Sequence, residues 1–317
     1  MVPVLKAVGI RLAYGIPVFL LVTFIVGMFA ELMPGSPGAA ILGDQATQEA
    51  VDAINKRFGY DLPPFERYVN WLAGVVRLDF GETLFSREPV IELIGRRLAV
   101  TGELALLALF WSLVVSIPLA LIAAMREGGI FDRAVTAISS AVIAIPGFVT
   151  VVILALIFTV TLRAFPATGW VAFTDDPLQN LKYAFLPALT LALTETAFFY
   201  RILRSELVGT LREDFVLVAR AKGIPVPRIA VRHVLRPSFT SFVTVLGLSI
   251  GRLLGGAVIV EFFFAVPGIG GETLLAVSQK DMGVIQAVVA LSVVVYVVLF
   301  IIVDLAYAWI DPRVTVK

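Results

Sequence analysis

Cysteine is absent from the 317-residue chain, and histidine occurs only once, as His233. The chain therefore has no thiol nucleophile, disulfide or thiolate zinc site, and it leaves little room for a histidine-rich metal site or a histidine-based catalytic triad. Charged residues are also scarce, at 15% of the chain against about 25% in an average soluble domain. The charges almost cancel, with 25 Lys and Arg against 24 Asp and Glu. These absences argue against a water-soluble enzyme, a disordered chain and a nucleic-acid binder.

Hydrophobic residues make up 59% of the chain, too many for a globule of this size to hide, so lipid must solvate much of them. A helix needs about 20 consecutive apolar residues to cross a bilayer. Six stretches meet this length, which predicts an all-α integral membrane protein with six transmembrane helices. The expected spans are residues 12–32, 101–125, 134–162, 183–203, 239–260 and 283–308. A secretory signal peptide is the alternative for the first stretch, but its length and the lack of a prompt cleavage site favour an uncleaved helix.

The positions of Lys and Arg in the short loops predict the orientation, because cytoplasmic loops carry an excess of both. Fourteen of them lie at the two termini, in the turn at 126–133 and in the segment 201–236, against three in the opposite short loops. Both termini are therefore predicted to be cytoplasmic, with the long segment 33–98 outside. This gives three regions: an N-terminus with the first helix (1–32), an external segment (33–98) and a five-helix core (99–317).

Within the external segment, residues 65–76 place apolar side chains on one face of a helix. Such an amphipathic helix can lie at the outer membrane interface. The alternative is a capped helix packed on the transmembrane bundle, and the sequence does not separate the two.

The densest polar segment, residues 205–237, joins the fourth and fifth spans. Its apolar residues recur with helical period from Ser205 to Lys222, and Gly223 stands where a helix end favours a left-handed residue. Pro227 can start a second helix, predicted from Arg228 to Arg236 and ending before Pro237. Two short helices meeting at a Gly-Pro elbow form a rigid knob that another protein can push. The alternative is an ordinary positively charged loop that only fixes the topology.

At these residues the chain resembles a family. The sequences ARAKG at 219–223 and RHVLR at 232–236 resemble the EAA loop of binding-protein-dependent ABC importers, and most closely that of the dipeptide/oligopeptide/nickel permease group. Further similar motifs occur in the same order along nearly the whole chain. They are LMPGSP at 32–37, ERY at 66–68, DFG at 79–81, LPALTL at 186–191, PGIG at 267–270 and YAWIDPR at 307–313. One departure is that the usual Ile-x-Leu-Pro ending of the loop is replaced by His233-Val234-Leu235, with the proline displaced to position 237.

The resemblance implies a type I ABC importer permease fold and a protein that works as one of a pair. A second homologous permease, in a heterodimer, would complete the pathway; two ATPase subunits would bind the cytoplasmic loop; and an external substrate-binding protein would deliver the solute. No nucleic acid is implied, and the location would be the plasma (inner) membrane of a bacterium or archaeon. The residues that would contact the ATPase are Leu211, Asp214, Ala219, Arg220, Ala221, Lys222, Gly223 and His233.

The chain itself is expected to perform no chemistry and to bind no cofactor. A P-loop needs the sequence Gly-Lys-[Ser/Thr], and none of the internal lysines 56, 182, 222 and 280 follows a glycine. By the resemblance, ATP and Mg²⁺ bind to the partner ATPase subunits. No catalytic residue and no metal site is predicted.

Ionisable residues inside the spans are expensive and usually face a cavity or a partner. Glu195 and Arg252 have opposite charge and similar predicted depth in the fourth and fifth spans, which predicts an ion pair. The pair either lines the pathway or only holds the bundle together. The other possibility is that Arg252 binds an anionic group of the substrate. Glu261 at the external end of the fifth span is a third candidate for the pathway. Near the cytoplasmic end, Arg201 and Arg204 are expected to pair with Asp304 or Asp311, in a structural role.

Glycines recur every four residues in the fifth span, at Gly247, Gly251 and Gly255. Small residues at this spacing let another helix approach closely. The sequence predicts a helix-packing face, with a partner helix in the same chain or in the second permease. A gating role for these glycines is the less favoured alternative.

The sequence therefore favours a permease subunit of an ATP-driven importer for peptides or a similar small solute. The alternative is an ion-coupled secondary transporter, in which Glu195, Arg252 and Asp304 would carry the coupling. That alternative predicts inverted repeats, of which the sequence gives no sign, and it leaves the polar loop without a role.

Overall fold

The computed structural model describes residues 2–32, 36–43 and 46–310, and every regular element in these ranges is helical. Residues 33–35 of the LMPGSP motif and the end of the chain from Asp311 lie outside these ranges. The chain divides into two compact units, Met1–Thr101 with Pro267–Ile301 and Gly102–Val266 with Ile302–Lys317. The predicted external segment belongs to the same unit as the first helix.

The first unit contains one long helix followed by three short ones. These are α1 (Val2–Leu32), α2 (Pro37–Leu42), α3 (Gln48–Arg57) and α4 (Pro64–Val75). Ser36 and Thr47 start α2 and α3, because each side-chain oxygen accepts a hydrogen bond from a backbone N–H of the first turn. The unit also holds the start of α5 (Val90–Met125), α12 (Ile269–Gln279) and most of α13 (Met282–Ile310).

Helix α4 packs on α1 through the buried Tyr68. The Tyr68 hydroxyl donates to the carbonyl oxygen of Leu20 at 3.0 Å and lies 3.1 Å from the hydroxyl of Thr23. The Phe24 ring meets the Tyr68 ring edge-on, with centroids 5.2 Å apart. The packing of α4 on α1 agrees with one of the two alternatives predicted for residues 65–76, namely a helix packed on other helices. Phe65 stays exposed on α4, so part of its apolar face remains open to an interface.

A buried carboxylate ties the external segment to the start of α13. Asp281 Oδ2 accepts from the Leu84 N–H at 2.7 Å, and Oδ1 accepts from the Val284 N–H at 3.2 Å. Burial raises the pKa of this carboxyl, and the backbone donors oppose the rise. Nothing in the sequence singles out Asp281, because one acidic residue before a span carries no local signal of a partner almost 200 positions away.

Replacing Asp281 with Ala should cost about 2–3 kcal/mol, because two buried N–H groups lose their acceptor. Asp281→Asn keeps one acceptor and should cost less. Since the pKa is raised in the folded state, ionisation of Asp281 opposes folding, so the stability of the wild type relative to Asp281→Asn should fall as the pH rises from about 4 through the raised pKa. Melting temperatures of both proteins across this pH range measure the effect. A difference in melting temperature that does not change with pH would contradict the raised pKa of Asp281.

The second unit is built around α8 and α11. Its helices between residues 130 and 264 are α6 (Ile130–Ala144), α7 (Gly147–Ala155), α8 (Pro177–Leu211), α9 (Asp214–Ala221), α10 (Val226–Ile229) and α11 (Leu235–Phe264). Phe199 and Leu203 of α8 and Phe242 of α11 are fully buried together. The Phe199 and Phe242 rings meet edge-on at 5.1 Å. These large side chains hold the polar loop between α8 and α11 at one end of the pair.

Among the described residues, four helices are long and apolar enough to cross a membrane, within Gly9–Phe29, Val90–Met125, Phe242–Phe264 and Met282–Leu305. The predicted third span is not one helix: α6 and α7 meet at an angle of 105°, and counting the pair as one broken span gives five. Pro146 explains the break, because proline cannot donate the helical hydrogen bond and restricts the residue before it. The predicted fourth span lies in α8, where most side chains from 183 to 203 are buried within the unit and Glu195 lowers the hydropathy. The count of six stays a prediction.

Candidate functional site

The segment between α8 and α11 forms a helical elbow, residues 212–234. It consists of α9, a turn at residues 222–225, α10 and a π-helical turn, Ala230–Val234. Two expected boundaries are wrong. The predicted helix from Ser205 to Lys222 is interrupted at Arg212 and Glu213, and the second helix does not end before Pro237. Pro237 lies inside a run that is helical without a break from Val226 to Phe264, directly after the π-helical turn, and such a local change of helical register can accommodate a proline that donates no N–H.

The turn after α9 is closed by a left-handed glycine, as predicted. Gly223 has φ of +76°. Its N–H donates to the Arg220 carbonyl at 2.9 Å, and the Ile224 N–H donates to the Ala219 carbonyl at 3.2 Å. This pair of hydrogen bonds is the Schellman motif, which satisfies the last carbonyls of a helix. The elbow therefore has one defined geometry.

Replacing Gly223 with Val should destabilise the elbow by about 1–2 kcal/mol, because a β-branched residue is strained at positive φ. Gly223→Asn should cost less, since Asn tolerates this conformation better. Gly209→Val is the control: Gly209 lies in α8, and a Cβ there would meet nothing within 4 Å. Limited proteolysis of the elbow would report the change. Equal protection of the Gly223→Val and Gly209→Val proteins would contradict the role of the backbone conformation.

The elbow buries one face and exposes the other. Val216, Ile229 and Val234 are fully buried in the core of the second unit. The exposed face of α9 carries apolar residues, namely Phe215, Leu217 and Val218. A monomeric soluble protein rarely leaves such a patch uncovered, so this face is suited to binding another protein.

The residues predicted to contact an ATPase separate into two groups in the structure. Leu211 and Ala219 are partly buried and pack against the core of the second unit. The others are exposed on or beside the elbow: Asp214, Arg220, Ala221, Lys222, Gly223 and His233. Phe215, Leu217 and Val218 were missed as contact candidates because their helical spacing in the sequence also fits a buried face.

A cavity of about 480 Å³ is bounded by α9, the end of α8 and the turn after α5. Three arginines line it, Arg126, Arg212 and Arg220, together with Glu127. Arg212 Nη2 lies 2.7 Å from Glu127 Oε1, and both side chains are exposed, so this pair contributes little to stability. The excess of positive charge makes the cavity suited to an acidic side chain.

A second ion pair, between Asp132 and Arg204, fixes the turn before α6 to α8. Asp132 is buried and accepts from Arg204 Nε, from Arg204 Nη2 at 2.6 Å and from the Gly128 N–H at 2.8 Å. The Tyr200 hydroxyl lies 3.5 Å from the same carboxylate. Asp132 is a partner that the sequence did not predict for Arg204. Asp311 lies outside the described residues, and pairing of Arg201 with Asp304 stays a prediction. Asp132 lies just before a predicted span and gives no signal of a contact 72 residues away.

Glu195 and Arg252 form a two-pronged ion pair inside the second unit. Arg252 Nη2 lies 2.8 Å from Glu195 Oε2, and Arg252 Nε lies 3.2 Å from Oε1. Arg252 also donates to Ser249 Oγ at 2.7 Å and lies over the Phe198 ring at 5.2 Å. The Glu195 side chain is only 5% exposed, whereas that of Arg252 is 42% exposed. One partner is therefore sealed in the unit while the other remains accessible. Glu261 is fully buried.

The predicted glycine face of α11 makes a close helix contact at Gly247. A Cβ on Gly247 would clash with Val303 Cγ2 of α13, so only glycine permits this approach. Gly251 is buried, whereas a Cβ on Gly255 would meet nothing within 4 Å. Gly247 therefore packs within the chain and Gly255 does not.

In the part of the chain that the structure describes, no group of three or more His, Asp or Glu side chains could hold a metal ion. The arrangement is instead suited to transmitting force and to binding partners. It combines a rigid, partly apolar elbow with a half-accessible arginine within a bundle of long apolar helices.

Comparisons with known proteins agree with this interpretation. Residues 116–316 match the model of a family described as binding-protein-dependent transport system inner membrane component. A peptide transport system permease protein of Brucella abortus, itself assigned only putatively, is 34% identical over 96% of this chain and 97% of its own length. The glutathione transport system permease protein GsiC of Escherichia coli is 30% identical over 97% of this chain and 98% of its own length.

Among solved structures, an inward-facing form of the MetNI methionine ABC transporter is similar, with a TM-score of 0.59 over 71% of this chain and 99% of that one. At 18% sequence identity this likeness shows the fold alone.

Proposed function

Because the chain belongs to the family of inner-membrane components of binding-protein-dependent transport systems, we propose that it forms half of the translocation pathway of an ATP-driven importer for short peptides. The observation that carries the proposal is the helical elbow, with its buried anchor and its exposed apolar face. The names of the relatives support peptides or glutathione as the class of solute.

In this proposal the elbow binds a cytoplasmic ATPase subunit. Phe215, Leu217 and Val218 supply the apolar contact, and the arginine-lined cavity of 480 Å³ accepts an acidic side chain of the ATPase. The buried anchor of the elbow makes it move with α8 and α11 as the ATPase closes on ATP. The partner subunits therefore bind and hydrolyse ATP, and this chain binds neither ATP nor Mg²⁺.

The remaining partners follow from the same proposal. A second, different permease subunit completes the pathway, and an external binding protein delivers the solute. Both termini face the cytoplasm, and the segment 33–98 faces outward, in the inner membrane of a bacterium or archaeon. Arg252 lines the pathway because its side chain is accessible while Glu195 holds it in place.

The proposal is tested by purifying the membrane complex through a tag on this chain and measuring ATP-dependent peptide uptake after reconstitution. ATPase subunits should co-purify with the wild type. Leu217→Asp should lose them, because the charge falls in the apolar contact. Leu178→Asp is the matched control, since Leu178 is an exposed leucine at the opposite end of α8 from the elbow.

Purification of the wild type without any ATPase, combined with uptake driven by an ion gradient, would overturn the proposal. Loss of the ATPase from the Leu178→Asp protein as well would show that the elbow is not the contact.

A further inference from the structure

The first unit contains a cavity of about 450 Å³ that has no part in the proposed coupling. It is enclosed by residues 57–84 of the predicted external segment, the first residues of α13 and Gly27 of α1. Its size lies within the range of about 300–1,000 Å³ that is usual for small-molecule sites. Five aromatic side chains line it: Phe58, Tyr60, Tyr68, Trp71 and Phe80.

The Trp71 ring forms part of the cavity wall. Its indole nitrogen is buried with almost no accessible surface, so a molecule in the cavity can contact the ring but not the N–H. The ring itself is held between Tyr68, at 6.1 Å between centroids, and Phe80, at 6.3 Å.

The cavity also carries charges of both signs. Arg57 Nη2 lies 3.2 Å from Glu82 Oε2, and each of these side chains is about half exposed. Such an exposed pair is worth little, so a ligand can replace it at small cost. A carboxylate could then bind Arg57 while an ammonium group binds Glu82. The aromatic walls suit an ammonium group as well, because a cation is attracted to the face of an aromatic ring.

We infer that this cavity is a binding site for a small zwitterionic solute with an apolar side chain, of the size of a dipeptide. The solute would bind Arg57 through its carboxylate and Glu82 through its ammonium group. Its apolar side chain would pack on the Trp71 ring, and Asn70 and Gln286 would supply hydrogen bonds. A lipid fits less well, because acyl chains would have to lie among these charged and amide side chains. The inference rests on the proposed peptide specificity and adds to it a site on the permease itself.

The test uses the assembled transporter in lipid nanodiscs without the binding protein. Binding of the dipeptide Ala-Phe is measured by equilibrium dialysis and by tryptophan fluorescence. We expect saturable binding, weakened about 10-fold by Glu82→Gln, which keeps the shape of the side chain and removes the charge that would bind the ammonium group. Trp71→Phe keeps an aromatic wall and should abolish the fluorescence change. Trp170→Phe is the control, since Trp170 is similarly half-buried but lies in the second unit.

A second pair of variants covers the case in which Trp71→Phe fails to fold. Asn70 is exposed and lines the cavity, so Asn70→Trp should block binding without disturbing a core. Glu66→Trp places the same side chain at an exposed position of α4 outside the cavity lining and should bind normally. Equal affinity of the two variants would overturn the inference.

Two further ligands test the chemistry. The uncharged N-acetyl-Ala-Phe-amide should bind much more weakly, and dihexanoyl phosphatidylglycerol should not compete. If the uncharged peptide binds as tightly as Ala-Phe, or if the lipid competes, the inference that the ligand is a zwitterionic solute is overturned. ATP-dependent peptide uptake with the binding protein present separates the two levels: uptake without binding at the cavity removes only this inference, whereas a wild type without uptake removes the proposed function.

Discussion

Replacing Arg204 with Met should destabilise the second unit by about 3–5 kcal/mol, because it leaves the buried carboxylate of Asp132 without its cation. The Asp132 side chain is 4% exposed, so water cannot take over the contacts that Arg204 makes. Two hydrogen bonds to a charged acceptor are lost together, and only those from Gly128 and Tyr200 remain. The apparent melting temperature of the detergent-solubilised protein should fall by several degrees.

Arg201→Met is the matched control, since Arg201 lies one turn away on α8 and is exposed. The double variant Asp132→Leu with Arg204→Met should recover most of the loss, because two apolar side chains leave no buried charge. A double variant as unstable as Arg204→Met would show that the loss comes from packing and not from the orphaned carboxylate.

Changes at the Glu195–Arg252 pair should have unequal effects. Arg252→Met strands a carboxylate that is only 5% exposed, which should cost about 3–5 kcal/mol. Glu195→Gln leaves an arginine that is 42% exposed and can reach water or another acceptor. This variant should therefore lose only about 1 kcal/mol of stability. Melting temperatures and assembly with the partner subunits measure both.

The charge swap Glu195→Arg with Arg252→Glu should restore assembly that either single reversal loses. Equal costs for Arg252→Met and Glu195→Gln would contradict the difference in accessibility. A swap no better than the single reversals would show that the two charges do not stabilise each other.

The sequence was most informative where a local rule has few exceptions. Gly223 is followed closely by Pro225, which predicts a helix end, and the glycine has the expected positive φ. The motif order along the chain indicated the permease family, and the match over residues 116–316 confirms it. The all-helical fold followed from the apolar runs. Glu195 and Arg252 could be related because equal depth on successive spans brings two charges to one level.

The sequence was least informative about breaks and distant partners. No proline or glycine marks the interruption at Arg212 and Glu213, so the periodic pattern runs through it. Pro237 indicated a helix end, but the chain stays helical through it, directly after the π-helical turn. Asp132 and Asp281 each meet a partner chosen by tertiary packing, which no spacing rule specifies. The exposed face of α9 was missed because a helical apolar pattern does not say whether another chain or the protein itself will cover it.

The continuity of α11 has a mechanical consequence. Its 30 residues correspond to a rod of about 45 Å, which begins at the π-helical turn and ends at Phe264. A rod of this length acts as a lever arm: a tilt of about 5° at one end displaces the other end by about 4 Å if the helix stays straight. Small rotations at the elbow are thereby amplified at the opposite end of α11, where Phe262 and Phe263 stand exposed. The gain of this lever depends on the straight length of the helix, so introducing a bend near Gly255 would reduce the displacement without changing either end.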